Sequence, residues 1–133
     1  MSIPRPSPTP PDNSDELPLV DPDILQELED EVDGPRVAHR FARDYTEMWV
    51  QRYRRLTAAV DRQDRADALD AIISLKTSSA MVGGLRLARL AEDLEQIIRR
   101  GDFSAGRALV TAVADHGGQT VKELQFLYVT TNE

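Results

Sequence analysis

The sequence predicts an all-α protein, an antiparallel four-helix bundle with a short additional N-terminal capping helix. Three observations carry that expectation. All eight prolines fall within the first 35 residues, so nothing after Pro35 bars a helix interior. Beyond that point apolar residues recur at helical spacing, and no strand-like alternation persists. Aspartates, prolines and glycines interrupt the pattern at intervals that suit helices joined by brief connections.

The first helix is expected in "DPDILQELEDEVDG", with Asp21 as N-cap and Pro22 at the first helical position. Leu25, Leu28 and Val32 form its apolar face and Gly34 stops it. The second runs from Pro35 to about Asp61, with Phe41, Tyr45, Met48, Trp49, Leu56 and Val60 as its inward stripe. After the break "RQDRAD", Asp64 can cap a third helix from Arg65 to Val82, which Gly83–Gly84 terminates. The fourth spans Leu85 to Arg100, turning Leu87, Leu90, Ala91, Leu94, Ile97 and Ile98 inward before Gly101. The fifth starts near Asp102 or Ser104 and carries Leu109, Val113, Thr120, Leu124 and Leu127. Gly117–Gly118 is its weak point, costing about 1 kcal/mol per glycine relative to alanine. The apolar phase survives across the pair, which predicts one helix with a bend at most.

Residues 1–20 are too poor in apolar side chains and too rich in proline to offset the entropy of ordering, and read as a disordered tail. The folded domain is expected over residues 21–130. With no cysteine there are no disulfides and no thiolate metal sites. Neither a signal peptide nor a membrane-length apolar run is present, so a cytoplasmic location is expected. A net charge of −7 argues against nucleic acid as the main partner. Seven acids and no base lie between residues 21 and 33, while the second helix is rich in arginine. That contrast predicts internal charge pairing rather than two binding patches.

The third helix has two stripes. Ala68, Ile72, Leu75, Ser79 and Val82 share one narrow arc, which is the core face. Ile73 lies about 120° from its centre, at or beyond the buried edge. Ala66, Leu69, Lys76, Thr77, Ala80 and Gly84 lie beside it at offsets of three, four, seven or eleven. This second stripe is small or apolar with one lysine in it, a flat patch that another protein can approach closely.

"SLKTSSAMVGGLRLARLAEDLE" resembles the signature of histidine-containing phosphotransfer (HPt) domains. Leu75, Lys76, Ser78, Ser79, Val82, Gly83, Leu87, Leu90, Leu94 and Glu95 fall on matching positions. The resemblance extends from about Asp21 to Tyr128. It implies a four-helix bundle that carries phosphate on one histidine and works between a kinase's receiver domain and a response regulator. It also implies that the reactive histidine projects into solvent from the middle of a helix. The position that the resemblance assigns to that histidine is Ile73, and a threonine, Thr77, follows the lysine where the family has glycine. Isoleucine offers no nucleophile, so phosphoryl transfer at this residue is chemically barred.

Other acceptors are weaker candidates. Ser74 points about 100° further round the helix and has no base beside it. His39 follows an arginine-rich face and is expected to be solvated; His116 precedes the glycine pair and is expected to bond a backbone carbonyl. No metal or cofactor is expected, because two histidines on different helices do not make a ligand cluster. The acidic run of the first helix lacks the glycine of a calcium loop. The expectation is therefore a non-phosphorylatable, non-enzymatic pseudo-HPt. It would dock a receiver or histidine kinase domain through Ala66, Leu69, Ile73, Lys76, Thr77, Ala80 and Gly84, and would be a monomer. Active phosphotransfer through a non-standard acceptor is one alternative. A helical scaffold that self-associates through the same patch, outside phosphorelays, is another.

Overall fold

The structure, a computed structural model, describes residues 17–31 and 34–131. Five helices follow in order: α1 (Pro22–Glu31), α2 (Pro35–Asp61), α3 (Arg65–Met81), α4 (Leu85–Arg99) and α5 (Phe103–Thr131). The long helices α2 to α5 form the bundle, with α3 between α2 and α4, and α5 closing against α4 and α2. α3 and α5 are diagonal and share no close backbone approach, while α1 leans on α2 and α3.

The turns follow local chemistry. The Asp21 carboxylate accepts from the Asp23 amide at 2.9 Å, and the Asp64 carboxylate from the Asp67 amide at 3.1 Å. Asp102 caps α5 in the same way, accepting from the Ala105 amide at 3.1 Å. Gly83 adopts φ +82°, and a Cβ there would stand 2.7 Å from the Asp21 carbonyl oxygen. That close approach exists because the Asp21 amide donates to the Gly83 carbonyl at 2.8 Å.

The core consists of two stacked clusters. The larger gathers Trp49, Leu56, Val60, Ile72, Leu75, Leu87, Leu94, Ile98 and Val113 from all four long helices. The smaller closes one end with Val20, Leu25, Tyr45, Val82 and Leu124. Inside it the Tyr45 hydroxyl and Ser79 Oγ are 2.6 Å apart, and burial pushes the tyrosine pKa up to about 12.

Several expectations are corrected. Val20 is buried, and the Leu17 and Pro18 carbonyls accept from Arg86 at 2.9 and 3.2 Å, so residues 17–20 pack with the domain rather than with a tail. The remainder of the expected tail, residues 1–16, and the expected core residue Val32 lie outside the described residues. Met48 is 40% exposed because Trp49 takes the inward position beside it. Ile97 and Leu109 are half-buried. α5 runs unbroken through Gly117–Gly118, as the continuous apolar phase predicts. The tip of the Trp49 ring fills the space where a Gly117 Cβ would stand, which is a packing reason for glycine that the sequence did not disclose. α2 finds charge partners on α3: Arg55 pairs with Asp67 and Asp70 at 2.7 Å, and Arg62 with Asp67 at 3.0 Å.

Candidate functional site: the outward face of α3

Ile73 sits mid-helix and is 37% exposed, while its neighbour Ile72 is fully buried. The helical period alone separates the two, since the larger core cluster claims Ala68, Ala71, Ile72 and Leu75. Ala66, Thr77 and Ala80 are exposed on the same side as Ile73. Leu69 is half-buried and rests on the core cluster, so it presents only part of its side chain.

Gly84 does not belong to this surface. It is buried, with the Thr120 methyl, the Ser79 carbonyl and the Leu19 carbonyl within 3.1–3.6 Å of where its Cβ would lie. The segment 17–20 folds over the end of α3 and covers it.

Lys76 is half-buried and turned toward α4. Its Nζ stands 2.6 Å from Glu95 Oε1, and the other carboxylate oxygen of Glu95 accepts from the Arg99 guanidinium at 2.7 and 3.0 Å. Glu95 is 5% exposed. The hydrogen bonds from Lys76 and then Arg99 hold its carboxyl below the usual glutamate range, against the opposing pull of desolvation. The ammonium is thus committed to a buried carboxylate. On the α2 side, the Arg52 guanidinium donates to Ser78 Oγ at 2.8 Å. The exposed strip is therefore apolar at its centre and bordered by two cations that already have partners.

Neither imidazole reaches it. His39 is half-buried on α2, 13 residues before Arg52, or about 20 Å along that helix. His116 lies on α5, diagonal to α3, and its Nδ1 is buried with no hydrogen-bond partner, contrary to the expected carbonyl contact.

The family model for the Hpt domain matches residues 22–125. The chain belongs to the Hpt domain family. A solved structure of histidine-containing phosphotransfer protein B (HptB) from Pseudomonas aeruginosa PAO1 is similar to this chain, with a TM-score of 0.77 at 20% sequence identity. The match covers 85% of this chain and 96% of that one. At that identity the likeness speaks for the fold. No curated protein sequence matches the chain. Among the described residues of this Hpt domain, no helix is long and apolar enough to cross a membrane.

Sequence reasoning missed Arg52, Ser78 and the partnership of Lys76 with Glu95 and Arg99. One signal was available. Glu95 lies between Leu94 and Ile98 in the apolar stripe of its helix and four residues after Ala91, and a carboxylate so placed demands cations.

Proposed function

We propose that this Hpt-family protein is a non-phosphorylatable module of a phosphorelay, which docks a receiver or histidine kinase domain through the face made by Ala66, Ile73, Thr77 and Ala80. The observation that carries the reading is Ile73, an aliphatic side chain exposed mid-helix at the place where the family signature sets its reactive histidine. Such a side chain gains nothing from water, and burying its remaining 37% against a partner is worth about 0.5–1 kcal/mol. It has no lone pair with which to accept a phosphoryl group. Lys76, committed to Glu95, is a flanking contact rather than a free counter-ion for phosphate. The protein works as a monomer in the cytoplasm, as a decoy or adaptor that occupies the surface an active domain would use.

The test is binding of the purified chain to receiver domains encoded in the same genome, with Ile73→Asp as the disruptive variant. Wild-type binding at micromolar concentration, weakened about 10-fold or more by Ile73→Asp, supports the reading, 10-fold being about 1.4 kcal/mol. Absence of binding to every receiver and kinase tried removes it. A parallel incubation with phosphorylated receiver checks the chemistry. Acid-labile label on the chain that disappears in a His39 or His116 variant would replace docking with transfer.

A further inference from the structure

The two cations that border the exposed strip of α3 differ in charge balance. Lys76 is neutralised by the Glu95 carboxylate at 2.6 Å. Arg52, on the α2 side, is not. Its guanidinium donates to Ser78 Oγ at 2.8 Å and to Met48 Sδ at 3.9 Å, and both acceptors are neutral. Among the described residues it forms no ion pair, whereas Arg55 on the same helix forms two. A guanidinium carries five N–H donors and stays charged at any physiological pH, so half-buried Arg52 is left with an unbalanced charge.

Arg52 is also close to the centre of the strip. Ser78 lies five residues after Ile73 on α3, about 9 Å between Cα atoms, which puts the guanidinium within about 15 Å of Ile73. Ser74 is exposed one turn before Ser78, and Met48 is 40% exposed one turn before Arg52. A stable protein–protein contact covers about 800 Å² on each partner, a disc about 30 Å across. A partner centred on Ile73 therefore covers Arg52 as well. Taking water from an unbalanced cation is unfavourable unless an anion replaces the water.

Resting on the docking reading, we propose that the docking face continues onto α2 and that Arg52 selects the partner: the protein that docks there sets a carboxylate against the guanidinium and apolar side chains against Met48 and Ile73. A partner without that carboxylate leaves the guanidinium desolvated and unpaired, and binds more weakly for that reason. A second copy of this chain is a poor occupant, because each copy carries a net charge of −7 and the two repel.

The test uses the full chain with the receiver and kinase domains encoded in the same genome. For the domain that binds, Arg52→Gln should weaken binding about 10-fold in about 0.1 M salt. It should also remove most of the salt dependence up to about 1 M, a range over which the screening length falls from about 10 Å to about 3 Å. Glutamine still offers Ser78 a donor, so the variant should keep the wild-type urea midpoint. Arg52→Lys, which keeps the charge, should restore part of the affinity together with the salt dependence. Arg54 is exposed and points about 200° further round α2, so Arg54→Gln should leave binding within about 2-fold. If Arg52→Gln binds as the wild type does while Ile73→Asp binds weakly, this proposal is overturned and docking through Ile73 stands. If no domain binds the wild-type chain, both fall. Weaker binding with a lowered urea midpoint and unchanged salt dependence marks a structural role for Arg52 and overturns the proposal. So does a dimer in sedimentation that Arg52→Gln dissociates, since the occupant would then be a second copy.

Discussion

Gly117 and Gly118 are neighbours in one helix, yet replacing them with alanine should move stability in opposite directions. A Cβ on Gly117 would stand 1.9 Å from Trp49 Cη2 and 2.0 Å from Cζ2. Carbon atoms pack at about 3.5–4.0 Å, so the ring or the helix must move by about 1.5 Å or more. Trp49 is 8% exposed and stacks at 5.9 Å on Tyr53, which leaves it little room to yield. Overpacking this deep falls in the upper part of the usual range, about 2–3 kcal/mol or more, and the better helix propensity of alanine returns about 1 kcal/mol. The net for Gly117→Ala is a loss of about 1–2 kcal/mol or more. Nothing lies within 4 Å of a Cβ on Gly118, so Gly118→Ala keeps only the propensity gain, about 0.5–1 kcal/mol. Urea unfolding followed by the fluorescence of the single tryptophan reads both. With a urea slope of about 1–3 kcal/mol per molar, the midpoint should fall by about 1 M for the first variant and rise by about 0.5 M for the second. If Gly117→Ala unfolds at the wild-type midpoint or above it, the packing of Trp49 against α5 described here is wrong.

Glu95→Gln should cost about 1–2 kcal/mol at neutral pH, because Lys76 and Arg99 then face a neutral amide. Since the folded-state pKa of Glu95 is depressed, its stabilisation is present above the unfolded glutamate pKa and lost as pH falls through the folded value. Wild-type and variant stability should therefore converge in acid, and urea titrations at a series of pH values would expose any failure to do so. Tyr45→Phe removes the partner of the buried Ser79 hydroxyl and should cost about 1–2 kcal/mol by thermal unfolding; a neutral result would argue against that bond. Gly83→Ala meets both a positive φ and the Asp21 carbonyl, so it should loosen residues 17–21 ahead of the rest of the fold. Hydrogen exchange reads this at the Asp21 and Arg86 amides, and unchanged protection there would refute it.

What the sequence disclosed was local. Asp64, Gly83 and Asp102 set helix ends through contacts within three residues or through their own dihedral angles, and the helix limits fell within about one residue of expectation on that account. The exposure of Ile73 beside the buried Ile72 is likewise a property of one helix. What the sequence hid was relational. Lys76 and Glu95 are 19 residues apart and meet only because the α3–α4 turn folds the helices together. Gly84 looked like part of a flat stripe until residues 17–20 covered it, an event 64 residues away in the chain. Gly117 looked like a weakness because its reason, the Trp49 ring, sits on another helix.

The way α3 is fastened bears on why residue 73 can be isoleucine at all. The helix is held from behind by the Tyr45–Ser79 bond, by the ion pairs of Arg55 with Asp67 and Asp70, and by the tie from Lys76 to Glu95. None of these passes through Ile73, whose side chain lies outside both core clusters. Ile73 is 37% exposed, so it adds only part of an aliphatic side chain's burial to the fold. A β-branched side chain is slightly unfavourable in a helix, and an exposed one recovers little from burial. On the docking reading proposed above, isoleucine at this position serves a partner's apolar surface, and the flank bearing Lys76, Thr77 and Ala80 is an open groove beside it.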